Sequence, residues 1–124
     1  MALIRRGFEA FAAGDMAALT ELFHADASWH SVPAGILSGS YRGRDAIFAF
    51  FGQTQQEAGG TFSATPLDMA VSGERVFVLS QDKAKRKGRT LDTSNVVVFT
   101  LAGGRVREVH QFFGDHPAEV AFWS

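Results

Sequence analysis

Residues 105–113, Arg105-Val-Arg-Glu-Val-His-Gln-Phe-Phe113, alternate at a period of two, and the architecture turns on that alternation. Successive side chains of a strand point to opposite faces, so Val106, Glu108, His110 and Phe112 share one face while Arg107, Val109, Gln111 and Phe113 share the other. Working back from Arg105, turn signals recur at strand-like intervals: Ala102 to Gly104, Lys87 with Gly88, and Ser72 to Arg75. They divide the second half of the chain into strands over Phe62–Val71, Val76–Lys85, Arg89–Leu101 and Arg105–Phe113, which read as an antiparallel meander. In the third of these, Val96, Val97, Val98 and Phe99 are apolar on both faces, whereas a sheet with one wet face alternates there. Both faces are therefore expected to be covered.

The first half has helical periodicity. Leu3, Ile4, Gly7, Phe8, Phe11 and Ala12 recur at spacings of three and four and align on one face, with Arg5, Arg6 and Glu9 elsewhere. Gly14 ends this helix, and Asp15 is placed to cap a second one over Met16–Phe23. Ala27–Val32 reads as a short strand and Pro33–Gly39 as a loop. A third helix follows Gly43, where Ile47, Phe50, Phe51 and Thr54 form an apolar stripe, and Gly59 with Gly60 stops it. All three predicted helices precede the meander. They supply cover for one face of the sheet, so the outer face is assigned to a second copy of the chain, making a homodimer.

With 124 residues, 46% of them hydrophobic, the chain can build one core and has no room for a second domain, so residues 1–124 are read as a single unit. A net charge of −1 implies neither a polyanionic nor a strongly cationic partner. Cysteine is absent, which excludes disulfides, zinc-thiolate sites and a cysteine nucleophile. Met1–Ala13 carries Arg5, Arg6 and Glu9 inside its apolar pattern, unlike a signal peptide, and no apolar run approaches the ~20 residues that span a bilayer. A cytoplasmic protein without membrane partners is the default expectation.

Five segments sharpen this outline. They are Phe8-Glu-Ala-Phe-Ala-Ala-Gly-Asp15, Leu22-Phe-His-Ala-Asp-Ala-Ser-Trp29-His30, Gly39-Ser-Tyr-Arg-Gly-Arg-Asp45, Gly88-Arg-Thr-Leu-Asp92 and Gly104-Arg-Val-Arg-Glu108. Together they resemble the SnoaL-like family of the nuclear transport factor 2-like, or cystatin-like α+β barrel, superfamily, which also holds ketosteroid isomerases, polyketide cyclases and limonene epoxide hydrolases. The resemblance implies an α+β fold in which N-terminal helices pack on a strongly curved antiparallel sheet forming a cone around an internal pocket. It also implies a dimer through the outer sheet face and a small hydrophobic ligand inside. Trp29, His30, Tyr41, Phe51, Asn95, Phe99, His110 and Phe112 are nominated as the pocket lining. Asn95, polar in an apolar strand, must find a partner if buried, in the ligand or in the backbone.

Departures from better understood relatives narrow the chemistry. Where ketosteroid isomerases carry an aspartate base, Trp29-His-Ser-Val-Pro33 has no carboxylate, and Gly7 and Val97 stand where their oxyanion tyrosine and aspartic acid would be. Two aspartates bridged by an arginine, as in limonene epoxide hydrolases, have no full match. The polyketide cyclases carry an aspartate five residues after a histidine at the end of the last strand, and His110-Gln-Phe-Phe-Gly-Asp115 resembles that spacing. This nominates Asp115 as a base removing a proton beside a carbonyl, with His110, His30 or Asn95 holding the developing enolate oxygen. The alternative for Asp115 is an exposed turn residue.

No cofactor or metal is required by that scheme. His30 and His110 offer imidazole ligands but lie in no HxH or HExxH spacing, and His24 and His116 are placed in loops. The five cationic residues of Lys83-Ala-Lys-Arg-Lys-Gly-Arg89 sit at a hairpin tip without interleaved aromatics, so they are read as a solvated turn, not a nucleic-acid surface. Gly59-Gly60 and Gly103-Gly104 lie outside any βαβ unit and do not cradle phosphate. Two readings of function remain: an isomerase- or cyclase-type enzyme using general acid and base groups on a small hydrophobic or polycyclic substrate, or a non-catalytic ligand-binding or dimerisation module.

Overall fold

The computed structural model describes residues 2–37 and 39–124. In chain order the elements are α1 (Ala2–Ala13), α2 (Met16–Leu22), β1 (Phe23–Ser31), β2 (Ser40–Arg42), α3 (Arg44–Glu57), β3 (Ser63–Ser72), β4 (Arg75–Arg86), β5 (Arg89–Ala102), β6 (Arg105–Phe113) and α4 (His116–Trp123). The six strands form one open, curved sheet in the order β2-β1-β6-β5-β4-β3. Strands β3 to β6 are the expected antiparallel meander. Its hairpin between β4 and β5 turns on Lys87 and Gly88, both at positive φ (48° and 75°), a backbone sign that matches the right-handed twist of paired strands.

The helix starts follow from short-range chemistry. Asp15 accepts a hydrogen bond from the Ala18 amide (3.1 Å) and so caps α2. On α1, Ile4 is buried and Leu3, Gly7, Phe8 and Phe11 are partly buried while Arg5, Arg6 and Glu9 face solvent, as the three-and-four spacing requires; Ala12 of the expected face is exposed instead, and Ala10, outside that face, is buried. The larger apolar core joins α1, α2 and α3 to the inner sheet face through Ile4, Leu22, Phe23, Ile47, Val78 and Val109. A smaller cluster at the other end packs Phe122 and Trp123 of α4 against Leu37, Ala84 and Leu91.

Several expectations are corrected. A fourth helix, α4, follows the meander, so the helices do not all precede it, and His116 lies in α4 and His24 in β1 instead of loops. Strand β1 starts at Phe23, ending α2 one residue early, and β2 lies between the expected loop and the third expected helix; β1 also runs parallel to β6, the one parallel pairing among the described strands. The alternation of β6 breaks at Arg107. Thr100 pairs with Glu108 and Leu101 with Val106, a bulge that leaves Arg107 as the extra residue and turns Val106 to the buried side with Val109. The basic hairpin is only partly a solvated turn. Arg86 is buried, its guanidinium donating to the Ser124 and Phe122 backbone oxygens (2.7 and 3.3 Å) and pairing with Glu57 at 3.4 Å, while Arg89 donates to the Ala121 oxygen at 3.0 Å. These bonds fasten α4 over the end of the sheet. No described helix is long and apolar enough to cross a membrane.

Candidate functional site

Between the three N-terminal helices and the inner sheet face lies a cavity of about 100 Å³. Its wall is mainly aromatic, with Phe8, Phe11, Phe23, Trp29, Phe50, Phe51, Phe62 and Phe99 among its lining residues. Edge-on contacts lock these rings together, as between Trp29 and Phe51 (centroids 5.4 Å apart, planes at 87°) and between Phe11 and Phe51 (5.2 Å, 81°). The polar lining consists of Thr54, Ser80, Asp82 and Gln111.

Asp82 is the ionisable group of that wall. Strand β4 buries every second residue, and Val76, Val78, Ser80, Asp82, Ala84 and Arg86 all fall on its inner face. Ser80 Oγ donates to Asp82 Oδ1 (3.0 Å), and from β5 Asn95 Nδ2 donates to Asp82 Oδ2 (2.6 Å). The Asn95 amide is itself held, its Oδ1 accepting from the Gly114 backbone N–H at 3.3 Å. Burial pushes the Asp82 carboxyl up from 3.8 to about 6, although the two hydrogen bonds favour its ionised form and pull the other way.

A second carboxyl stands behind the first. A smaller cavity of about 40 Å³ shares Asp82, Gln111, Thr54, Phe50 and Phe62 with the larger one and adds Glu119 of α4. Glu119 is 2% exposed; Thr93 Oγ1 donates to its Oε1 at 3.4 Å, and its Oε2 has no hydrogen-bond partner among the described residues. Burial raises its carboxyl from 4.5 to about 7, the Asp82 charge adds to the rise, and Trp123, Thr93 and Asn95 offset part of it. The loop before β2 closes this end. Gly35 lies so close to the Trp123 carbonyl that a Cβ there would collide with it, and the Ile36 amide donates to that same oxygen at 3.1 Å.

The nominated residues divide between the two faces. Trp29, Phe51 and Phe99 line the cavity, Tyr41 stacks on the cavity residue Phe50 (4.4 Å, 20°), and Asn95 is buried against Asp82. His30, His110 and Phe112 are corrected as cavity residues, because they lie on the opposite face of the sheet. His30 pairs directly with His110, the two rings stack at 4.8 Å, and Phe112 is 56% exposed. Asp115 is also outside the cavity. It is the N-cap of α4, exposed, with its carboxylate accepting from the Ala118 amide at 3.1 Å.

Asp82 and Glu119 were not among the nominated residues. For Asp82 the sequence carries a signal, since it stands in phase with Val76 and Val78 in an alternating strand; Glu119 lies in α4, which no periodicity in the sequence marks. On the outer face His30, Glu108 and His110 form the one cluster of metal-type donors among the described residues, all three donor atoms within 4.8 Å of one another. The hydrogen bond from His110 Nε2 to Glu108 Oε1 (2.7 Å) holds that carboxyl below its ordinary range. Sequence spacing does not reveal this cluster because the parallel pairing of β1 with β6 brings His30, 78 positions before Glu108, to the Glu108 and His110 pair on β6.

A family model described as a SnoaL-like domain matches residues 4–109. An uncharacterised protein of Mycobacterium tuberculosis (strain ATCC 25618 / H37Rv) is 35% identical over 98% of this chain and 94% of its own length. Among solved structures, Bal32a from a soil-derived mobile gene cassette superposes with a TM-score of 0.96 at 41% identity, covering 99% of this chain and 95% of that one. A protein of unknown function with a cystatin-like fold from Xanthomonas campestris gives 0.92 at 27%, covering 99% and 96%. A putative polyketide cyclase from Streptomyces antibioticus shares the fold at 21% identity, with a TM-score of 0.80 over 97% of this chain and 94% of its own. By the family model, which spans most of its length, the chain belongs to the SnoaL-like family.

Proposed function

We propose that the chain is an isomerase- or cyclase-type enzyme in which Asp82 takes a proton from carbon, and returns it, on a small hydrophobic guest held in the aromatic cavity. The observation that carries this reading is the placement of one carboxylate on a wall whose other polar groups, Thr54, Ser80 and Gln111, are uncharged, oriented through both oxygens by Ser80 and Asn95. A base works best with a pKa near the working pH, and Asp82 at about 6 is ionised at neutrality yet more basic than an ordinary aspartate. Glu119, at about 7, is partly protonated under the same conditions and supplies a proton reservoir behind it. The buried Trp29 Nε1 has no partner among the described residues, which supports a guest with an oxygen acceptor.

Size selects among substrates. A cavity of about 100 Å³ is of the order of the roughly 150 Å³ that accommodates benzene in an engineered core, so a monocyclic guest suits it better than a polycyclic one. The competing reading, a ligand-binding module without turnover, draws on the fact that both Asp82 oxygens are already engaged. Exchange in D2O separates the two. Small cyclic ketones and enones incubated with the protein should gain deuterium beside the carbonyl, and Asp82→Asn should reduce the rate by ~10²-fold or more. Guests that bind without exchange would leave the binding module as the account.

The outer face belongs to the same proposal. Leu79, Val96 and Phe112 form a cross-strand row and are 41%, 38% and 56% exposed. A second copy of the chain covers this row, making the homodimer a consequence of the same sheet whose inner face builds the cavity.

A further inference from the structure

We propose that His30, Glu108 and His110 form a binding site for one divalent cation of the zinc class, on the face of the sheet opposite the cavity and independent of its chemistry. The parallel pairing of β1 with β6 sets His30 directly beside His110 and Ser28 directly beside Glu108. Two imidazoles and one carboxylate thus converge from adjacent strands, a donor set that suits borderline metals such as Zn²⁺ and leaves a position for water.

The donor separations bracket those of a zinc site, all within 4.8 Å of one another. In a tetrahedral zinc site with bonds of ~2.0–2.1 Å, donor atoms stand roughly 3.3 Å apart. Here Glu108 Oε1 lies 2.7 Å from His110 Nε2 and 3.8 Å from His30 Nε2. The rings are now stacked, with 26° between their planes, so closure on an ion requires side-chain rotation. In the single chain there is room for it, since the His30, His110 and Glu108 side chains are 26%, 44% and 42% exposed.

Orientation by neighbouring groups points the same way. His30 Nδ1 lies 3.3 Å from Ser40 Oγ on β2, a bond that holds the ring with Nε2 towards Glu108 and Ser28, as partners of metal-bound histidines do. The other two histidines are committed elsewhere. His24 Nε2 donates to the Ala102 carbonyl at 2.6 Å and His116 Nε2 to the Pro33 carbonyl at 2.8 Å, which removes those nitrogens as ligands.

The test uses the full chain stripped with chelator and titrated calorimetrically with Zn²⁺, alongside Co²⁺ absorption as a report on ligand number. One equivalent should bind per chain, with the ligand-field bands of a four-coordinate nitrogen and oxygen site. His30→Ala, His110→Ala and Glu108→Gln should each weaken Zn²⁺ binding by at least roughly tenfold. Asp82→Asn and His24→Ala should leave it at the wild-type level. Histidine side-chain NMR spectra of the wild-type chain provide a reading that needs no substitution, with zinc shifting the ring signals of His30 and His110 and sparing His24 and His116. Absence of stoichiometric binding, or binding that survives both His30→Ala and His110→Ala, would overturn the site.

Discussion

Asn95 on β5 donates its side-chain amide to Asp82 Oδ2 on β4 across 2.6 Å, so the carboxylate is oriented by its neighbouring strand. That bond favours the ionised form against the much larger effect of burial. Asn95→Ala removes it, and the Asp82 pKa should then rise further above about 6. The acidic limb of any pH–rate profile should move to higher pH by the same amount. Carbon-13 NMR titration of the aspartate carboxyls checks the shift directly, and an unmoved Asp82 signal would show that Asn95 is only a packing residue.

Stability should fall as pH rises through the weakly acidic range. In the unfolded chain Asp82 titrates near 3.8, in the fold at about 6. Between those values the folded state keeps a proton that the unfolded state has released, so the fold loses stability with increasing pH and the loss levels off above about 6. Two pKa units of this kind correspond to ~3 kcal/mol, and Glu119 extends the decline to about pH 7. Urea denaturation at a series of pH values measures the slope; the double variant Asp82→Asn, Glu119→Gln should flatten it.

Asp115→Ala should cost stability and spare turnover. The carboxylate caps α4 through the Ala118 amide, and loss of such a cap costs ~1 kcal/mol. Thermal melts at matched pH should show the loss, while deuterium exchange of a bound ketone stays at the wild-type rate. A collapse of exchange with unchanged stability would restore Asp115 to the chemistry.

Placing a charge in the exposed row should break the dimer. Val96 sits between Leu79 and Phe112 on the outer face, where Val96→Lys buries an unpaired ammonium in the proposed contact. Sedimentation at concentrations where the wild-type chain is dimeric should give a monomer with unchanged circular dichroism. Equal masses for the two proteins would reject this face as the interface.

Much of the fold was legible because its signals are short-range. Asp15 as a cap, Gly59-Gly60 as a stop and Lys87-Gly88 as a hairpin depend on a few neighbouring atoms, and all three hold. The small strand β2 and helix α4 were missed for the complementary reason. Three residues carry too little periodicity to register, and α4 has meaning chiefly as the cover over Leu91, Ala84 and Leu37 at the end of the sheet.

Alternation along β6 specified that Glu108, His110 and Phe112 share a side, and they do. It carries no information about which side the helices cover, nor about a bulge at Arg107 that moves Val106 across. Packing made that choice, turning Asp82 and Asn95 inward to the aromatic cavity and leaving His30 and His110 outside, beside each other. The physical reason is that a strand's period of two depends only on its own backbone, whereas burial is a property of what another part of the chain lays against it.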